Sequence, residues 1–189
     1  QATLTQLDGP YSQPIERPAA AVPGRGGINV VLRPSLLGSL QGVREYMSFY
    51  PYGCLEQRIS RAVALRNEPT WNGEMARLPL YLDADGLLRY FPVDTHAGSD
   101  VLTAYVLAIA HEAGYSIPDD VRTQMVEGLS GFVAGRLHRD SVWPAADFSI
   151  RKLAAIDALS RYGAAEPSML TSIALEPALW PTSAVLDWM

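Results

Sequence analysis

The chain of 189 residues contains a single cysteine, Cys54, and a single lysine, Lys152. One cysteine can neither form a disulfide within the chain nor build a zinc site from several cysteines. Lysine and arginine number 15 against 20 acidic residues, so the formal net charge is −5. A nucleic-acid-binding surface needs an excess of positive charge, which this composition lacks. We therefore expect no nucleic-acid partner, no cofactor and no metal.

The sequence also lacks an apolar run long enough to cross a bilayer, and its N-terminus has no signal-peptide pattern. Its composition, 48% hydrophobic and 19% charged, is ordinary for a globular domain that builds a core. Proline and glycine interrupt residues 1 to 27, which we interpret as an irregular lead-in. Weak alternation at residues 3 to 7 and 28 to 32 is compatible with strands, although the composition alone fits a disordered linker equally well.

The stretch around the only cysteine reads Tyr50-Pro51-Tyr52-Gly53-Cys54-Leu55-Glu56-Gln57. Proline fixes φ and glycine accepts left-handed geometry, so Pro51 and Gly53 predict a rigid entry and a tight turn. Residues 55 to 66 then carry apolar side chains at helical spacing: Leu55, Ile59, Ala62 and Val63. The pattern predicts that Cys54 stands at a helix start and that Gln57 lies beside its sulfur.

This geometry allows a covalent reaction between the two side chains. The unpaired N–H groups and the dipole at a helix N-terminus stabilise a thiolate. Held against the side-chain amide carbon of Gln57, the Cys54 sulfur can displace ammonia and leave an internal thioester. Effective molarities of about 10⁵ M or more are reached when two such groups are well oriented. A lone cysteine is more often an inert buried hydrophobe, and it is the surrounding motif that favours the reactive interpretation.

The motif Pro51-Tyr52-Gly53-Cys54-Leu55-Glu56-Gln57 resembles the thioester motif of the α2-macroglobulin and complement family. Leu55 replaces the glycine that is usual in the animal proteins, and this variant is similar to the bacterial α2-macroglobulins. Residues 34 to 38 resemble the entry into the thioester domain, and residues 98 to 106 resemble its next inner helix. The resemblance covers roughly residues 28 to 189.

The resemblance implies a single-use, broad-spectrum protease inhibitor and not an enzyme. In this family a protease cuts a bait segment elsewhere in the chain, and the thioester is then exposed and acylates a lysine of that protease. The pair here would be Cys54 and Gln57. The other motif residues would shape and shield the thioester, with Glu56 stabilising the helix start: Tyr50, Pro51, Tyr52, Gly53, Leu55 and Glu56.

The resemblance also implies partners and a location. The expected partners are target proteases, the neighbouring domains of the same protein and a periplasmic cell-wall synthase. Bacterial relatives are commonly periplasmic and often lipid-anchored at the inner membrane. We expect the same of the full-length protein, with the anchor outside these 189 residues.

Proline and glycine recur with a period in the second half of the chain. Gly114 ends a predicted helix and Pro118 opens the next, and Gly163 and Pro167 repeat these marks 49 residues later. The first helices of the two predicted hairpins span residues 101 to 113 and residues 148 to 161. An aromatic residue and a proline precede each unit: Phe91-Pro92, Trp143-Pro144 and then Trp180-Pro181. Stacked hairpins of about fifty residues indicate a repeat architecture.

The predicted fold class is mainly α, an α/α toroid built of helical hairpins, and the family resemblance implies the same fold. We assign residues 1 to 34 to an irregular or β lead-in that belongs to a neighbouring small β-domain. Residues 35 to 189 would be the N-terminal part of the thioester toroid. Because the chain reaches only the start of a further hairpin, we expect an incomplete ring that leaves apolar helix faces uncovered.

The stretch before the motif predicts a helix that Ser35 caps, with one apolar face: Leu36, Leu40, Val43 and Met47. An aromatic cluster follows: Tyr46, Phe49, Tyr50 and Tyr52. Its rings would belong to the core or shield the thioester from water, and the sequence leaves both readings open.

Residues 83 to 86, Asp-Ala-Asp-Gly, have the acidic spacing of a calcium loop but lack its later glutamate, so we predict a turn.

Some complement-type relatives transfer the acyl group through a downstream histidine, which should fall in a loop at residues 143 to 150. That stretch has no histidine, and His96, His111 and His138 lie elsewhere. We therefore expect attack by lysine amines rather than by sugar hydroxyls. Two alternatives remain: a cysteine hydrolase or acyltransferase with His111 or His138 as its base, and a binding-only helical repeat that has lost its thioester.

Overall fold

A computed structural model describes residues 5–16, 19–28, 30–32, 41–92, 95–141 and 144–189. The chain divides into two compact units, residues 1–39 and residues 40–189. The described residues of the first unit, among them residues 5 to 7, 28 and 30 to 32 of the two alternating stretches, form neither helix nor strand. Val30, Val31 and Leu32 are well exposed. An extended segment without neighbouring strands gains too little from pairing and burial to form a stable sheet.

The second unit is mainly helical, as predicted. Its α-helices are α1 (Gln41–Ser48), α2 (Leu55–Ala64), α3 (Glu68–Met75), α4 (Asp100–Ala113), α5 (Asp119–Val133), α6 (Pro144–Ser160) and α7 (Thr182–Trp188). Three short 3₁₀ helices are Leu78–Tyr81, Pro167–Ser172 and Pro177–Leu179. Within the described residues, none of these helices is both long enough and apolar enough to cross a membrane.

Helix α4 packs against α2, α5 and α6 and holds the core together. Ser99 caps it by accepting the N–H of Leu102 at 3.2 Å, and Gly114 ends it in a left-handed conformation with φ 71°. Its buried apolar side chains include Leu102, Val106 and Leu107. The helix predicted over residues 101 to 113 and its glycine stop are confirmed.

The second predicted hairpin is only partly present. Helix α6 begins at Pro144 and not at residue 148, so residues 144 to 150 are helix and not the predicted loop. Proline suits a first helical position because it has no N–H to leave unpaired there. After Gly163, Pro167 opens only the 3₁₀ helix Pro167–Ser172.

The pattern of apolar side chains explains why α5 is a long helix whereas the residues after Pro167 form only a short 3₁₀ helix. Helix α5 buries an apolar side chain at every turn: Val121, Met125, Leu129 and Phe132. The 3₁₀ helix Pro167–Ser172 has no buried residue, and three of its six residues carry hydroxyls that favour turns. Pro177 then prevents a longer helix from continuing. The prediction of a second outer helix opening at Pro167 is therefore wrong.

Residues 67 to 92 contain two short helices, α3 and the 3₁₀ helix Leu78–Tyr81. Pro69 lies in the first turn of α3, where its missing N–H costs nothing. The predicted turn at residues 83 to 86 is confirmed. One carboxylate oxygen of Asp83 accepts the N–H groups of Asp85 and Leu87, and the other faces Arg139 at 3.1 Å. These carboxylate oxygens are occupied by backbone N–H groups and an arginine.

Of the helix predicted from Ser35, the structure describes the part that forms α1, Gln41–Ser48. Ser35, Leu36 and Leu40, the resembling stretch at residues 34 to 38, and Trp143 lie outside the described residues. Val43 is exposed and Met47 is partly buried. At the other end of the unit, apolar side chains are exposed on and around α7: Leu179, Val185, Leu186, Trp188 and Met189.

Candidate functional site

Cys54 occupies the N-cap of α2, as predicted, with φ −69° and ψ 166°. The predicted inward-facing residues Leu55, Ile59 and Ala62 are fully buried, which fixes the helix on the core. The helix ends at Ala64, two residues earlier than predicted, because Arg66 adopts a left-handed φ of 51°.

Cys54 and Gln57 form a capping box, in which the side chain of each residue approaches the backbone N–H of the other. The backbone N–H of Cys54 donates to Gln57 Oε1 at 3.1 Å, and the Cys54 side chain lies over the backbone N–H of Gln57. The sulfur thus takes the place that a serine or threonine hydroxyl has in the common form of this motif. Cys54 is a free thiol and is 9% exposed. The local fold therefore turns the Gln57 carbonyl back onto the residue that carries the nucleophile.

This contact has a direct chemical consequence. Attack by the Cys54 sulfur on the Gln57 amide carbon places negative charge on Oε1, the atom that already accepts the Cys54 N–H. A hydrogen-bond donor that is already in place at a developing oxyanion, as in an oxyanion hole, typically raises the rate by about 10²–10³-fold. The helix start thus supplies a nucleophile, an electrophile and an oxyanion donor within four residues.

Tyr90 closes the other side of this helix start, and the sequence did not single it out. Its carbonyl accepts the N–H of Leu55 at 3.0 Å. Burial raises the pKa of its phenol most, a hydrogen bond with Ser99 opposes this, and the charges of Glu56 and Cys54 raise the pKa further. The sequence marked only the adjacent pair Phe91-Pro92, which is one of the aromatic–proline pairs that precede a predicted helical unit.

The face of α2 that carries Glu56 packs toward α4. One turn after Glu56, the Ser60 hydroxyl donates to the Glu56 carbonyl at 2.6 Å and lies 2.6 Å from the Tyr105 hydroxyl. Burial raises the pKa of Tyr105 most, the hydrogen bond with Ser60 opposes this, and the charge of Glu56 adds to the increase. Glu56 itself is partly buried.

An ion pair anchors α2 from the opposite side. Arg58, the residue after Gln57, donates through Nε to Glu74 Oε1 at 3.1 Å and through a terminal nitrogen to the Tyr81 hydroxyl at 2.9 Å. Glu74 and Tyr81 are both buried. The first turn of α2 is therefore held by α3 and by the 3₁₀ helix Leu78–Tyr81.

The aromatic residues before Cys54 form a partly open cluster. The ring centroids of Tyr46 and Tyr50, and those of Tyr50 and Tyr52, are each 5.3 Å apart. Tyr50 is partly buried, whereas Tyr46, Phe49 and Tyr52 are 64%, 86% and 63% exposed. These rings do not belong to the core. Pro51 and Gly53 are exposed, and shielding by the motif residues stays a prediction.

The three histidines are exposed and do not pair with Cys54 through a hydrogen bond in the described chain. His111 lies eleven residues beyond the start of α4, about 16 Å along the helix, with its ring edge-on to Tyr162 at 5.9 Å. Within the described residues, no three His, Cys, Asp or Glu side chains are grouped so as to hold a metal ion. No described contact forms the Cys–His dyad of the hydrolase alternative.

Comparison with known proteins identifies the fold. No protein-family model and no curated protein matches the sequence. Two structures of native Escherichia coli α2-macroglobulin match 70% and 71% of the chain, with TM-scores of 0.59 and 0.60 and identities of 21% and 22%. The first of these spans the region from domain MG7 to the C-terminus.

A Salmonella α2-macroglobulin reacted with methylamine matches 71% of the chain, with a TM-score of 0.54 and 24% identity. This chain spans 25% of the length of the first E. coli structure and 10% of each of the other two. The helical unit therefore has the fold of the corresponding part of bacterial α2-macroglobulins.

Proposed function

We propose that this chain is the thioester-bearing part of a bacterial α2-macroglobulin, a protease inhibitor, and that Cys54 and Gln57 form its internal thioester. The observation that carries the proposal is the hydrogen bond from the Cys54 N–H to Gln57 Oε1 at the start of α2. The motif residues and the shared fold support it independently, since one rests on local sequence and the other on the whole helical unit.

The proposed thioester would form at the capping box. The Cys54 sulfur attacks the side-chain carbon of Gln57, the C–N bond breaks, and the amide nitrogen leaves as ammonia after taking up the thiol proton. The Cys54 N–H stabilises the charge that develops on Oε1. The product holds an acyl group on a good leaving group, ready for a stronger nucleophile.

Trapping would use the rest of the protein. A protease cuts a bait segment outside this chain, neighbouring domains that cover the thioester move, and a lysine amine of the protease attacks the Gln57 acyl carbon. The products are an amide between Gln57 and the protease and a free Cys54 thiol. Each molecule reacts once, so the protein is a covalent inhibitor and not a catalyst with turnover.

Intact mass of the full-length protein tests this proposal. We expect a mass lower than the encoded one by one ammonia, and methylamine should add its own mass and release one titratable thiol. Cys54→Ala and Gln57→Ala should each abolish both changes. A free thiol together with substrate turnover would support the hydrolase alternative instead, and a free thiol without turnover would support a binding-only domain.

We also propose that the full-length protein lies in the periplasm, anchored by lipid to the inner membrane, where a cell-wall synthase is a candidate partner. The support is the family resemblance of the motif. Cell fractionation with a protease-accessibility assay on spheroplasts tests the location, and recovery of the protein in the cytoplasm would contradict it. Crosslinking in intact cells tests the synthase contact.

A further inference from the structure

Arg58 connects the Cys54–Gln57 pair to two other elements of the helical unit. It directly follows Gln57, and its backbone N–H donates to the Cys54 carbonyl at 3.1 Å, which is the first helical hydrogen bond of α2. Its side chain reaches α3 and the 3₁₀ helix Leu78–Tyr81. A shift of this side chain therefore moves the backbone that carries both members of the pair.

All three guanidinium nitrogens of Arg58 have a partner. Nε donates to Glu74 Oε1 at 3.1 Å, and one terminal nitrogen donates to the Tyr81 hydroxyl at 2.9 Å. The other terminal nitrogen forms an ion pair with the second carboxylate oxygen of Glu74. Glu74 is 8% exposed and Tyr81 is 3% exposed. The planar guanidinium fork matches a carboxylate in one relative orientation, so this contact fixes direction as well as distance.

The other contacts of the first turn of α2 fix its direction less strictly. Leu55 is fully buried, but apolar burial is non-directional and allows a helix to rotate slightly. The hydrogen bond from the Leu55 N–H to the Tyr90 carbonyl holds one backbone point. Ser60 and Arg61 make polar contacts one turn beyond the pair. Arg58 therefore supplies the directional side-chain contact that lies next to Gln57.

The energetics of the Arg58–Glu74 pair favour a role in orientation. Burial is the largest single effect and lowers the pKa of Arg58, but the bonds and charges of Glu74 and Tyr81 together raise it, so the guanidinium stays charged. Desolvation offsets much of the attraction in a buried ion pair, and apolar side chains of similar volume are often as stable. What the pair adds to apolar packing is a defined geometry. A reaction between two side chains needs such a geometry, because it is fast only when the reacting atoms are aligned.

We propose that Arg58 is a positioning residue for thioester formation, an inference that rests on the proposed Cys54–Gln57 thioester. Its guanidinium, held by Glu74 and Tyr81, sets the rotation of the first turn of α2, and this rotation aligns the Gln57 amide carbon with the Cys54 sulfur. Arg58 acts through the backbone and not on the reacting atoms. The reaction itself is unchanged: the C–S bond forms, the C–N bond of the Gln57 amide breaks, and ammonia leaves with the thiol proton.

The test measures the thioester content of full-length protein carrying Arg58→Met, by intact mass and thiol titration. A misplacement of about 1 Å can slow a reaction between oriented groups by about 100-fold. After equal times of expression, we therefore expect far fewer Arg58→Met molecules than unsubstituted molecules to be lighter by one ammonia, and most to carry a free thiol. Glu74→Gln keeps an oxygen acceptor for the Arg58 Nε and should retain a larger thioester fraction than Arg58→Met.

A double variant separates positioning from stability. Arg58→Met leaves the Glu74 carboxylate buried without its counter-charge, which destabilises the helical unit. Arg58→Met combined with Glu74→Leu leaves neither charge of the pair in place, so stability in urea unfolding should recover relative to Arg58→Met while the thioester fraction stays low. Recovery of the thioester together with stability would refute the positioning role. This variant also decides the question if Arg58→Met does not fold.

Arg161→Met is the matched control, because the Arg161 side chain is 25% exposed against 28% for Arg58, and its partners Glu112 and Asp157 lie on α4 and α6. It should keep the full thioester fraction. A full fraction in Arg58→Met, or an equal loss in Arg161→Met, would overturn the role of Arg58 while the thioester stands. If the unsubstituted protein has its encoded mass and a free thiol, the proposed function fails and the inference with it.

Discussion

At the scale of single residues, the most deeply buried carboxylate in the described part of the chain is that of Asp100, which is 1% exposed at the start of α4. Arg151 of α6 donates through Nε to Asp100 at 2.8 Å and pairs with Asp147 at 2.9 Å. Its guanidinium also lies over the rings of Phe132 and Phe148. The hydrogen bond with Asp100 is the main cause that raises the pKa of Arg151. This one side chain therefore joins α4 to α6 beside the core.

Replacing Arg151 with methionine should be strongly destabilising. The substitution keeps an apolar stem but leaves the Asp100 carboxylate buried without its counter-charge, which typically costs about 3–5 kcal/mol. Urea unfolding followed by circular dichroism measures the free energy of unfolding.

Arg122→Met is the matched control, since its partner Asp119 is 87% exposed and lies on the same helix. An exposed pair of this kind contributes about 0–1 kcal/mol. Equal losses in the two variants would contradict the assignment of Arg151 as the tie between α4 and α6.

At the scale of elements, Gly98 sets how closely the segment before α4 approaches the neighbouring backbone. Gly98 donates its N–H to Asp83 at 2.6 Å, and Arg139 donates to the Gly98 carbonyl at 2.7 Å. A Cβ at this position would lie 2.3 Å from the Leu87 carbonyl oxygen, which is backbone and cannot swing away. Only glycine lets the chain enter α4 this closely, and Ser99 follows directly, within reach of Tyr90.

Gly98→Ala should therefore destabilise the helical unit by roughly 1–3 kcal/mol, the usual cost of overpacking. Gly73→Ala is the control: Gly73 lies inside α3, and the methyl group of an alanine there would meet no atom within 4 Å, so alanine should stabilise by about 0.5–1 kcal/mol. Thermal unfolding of both variants measures whether each substitution lowers or raises the stability. A neutral or stabilising Gly98→Ala would show that the close approach is not required.

At the scale of the whole molecule, the dependence of stability on pH involves the contact between α6 and α7. Arg161 forms ion pairs with Asp157 and Glu112, each at 3.0 Å, and its charge also acts on Asp187 of α7. Burial is the first cause that raises the pKa of Asp187, the Asp157 charge is the second, and Arg161 opposes them. One guanidinium thus pairs with two carboxylates and acts electrostatically on a third.

The raised pKa sets the sign of the effect. The folded state holds a proton on Asp187 more readily than the unfolded state, so this group favours folding at pH below its unfolded pKa. That contribution is lost as pH rises through the folded pKa. We expect Asp187→Asn, which removes the charge, to be more stable than the unsubstituted chain at pH 7, with the difference shrinking as the pH falls below the folded pKa.

Urea unfolding at a series of pH values measures this difference, with Glu127→Gln as the control because Glu127 is exposed on α5. The control should show no comparable dependence on pH. A loss of stability in Asp187→Asn at pH 7 would mean that Asp187 is held by attraction to Arg161 rather than repelled by Asp157.

The sequence by itself determined the features that depend on neighbouring residues. The apolar helical period after Gly53 placed Cys54 at the start of α2, and a spacing of three residues brought Gln57 to it. The tight turn predicted at Gly53 is absent, since the backbone there has neither a turn nor a positive φ. Gly114 and Pro118 marked the end of α4 and the start of α5 for the same reason, since caps act within one turn. The mainly helical fold follows from these local signals.

Tertiary structure decided the features that join distant parts of the chain. Tyr90 reaches Leu55 across 35 positions, and Arg151 reaches Asp100 across 51, and neither pair has a local pattern that marks it. The recurring Pro167 predicted a second outer helix, but a proline only permits a helix to start. Burial of an apolar face is what stabilises the helix that follows, and the residues after Pro167 bury none.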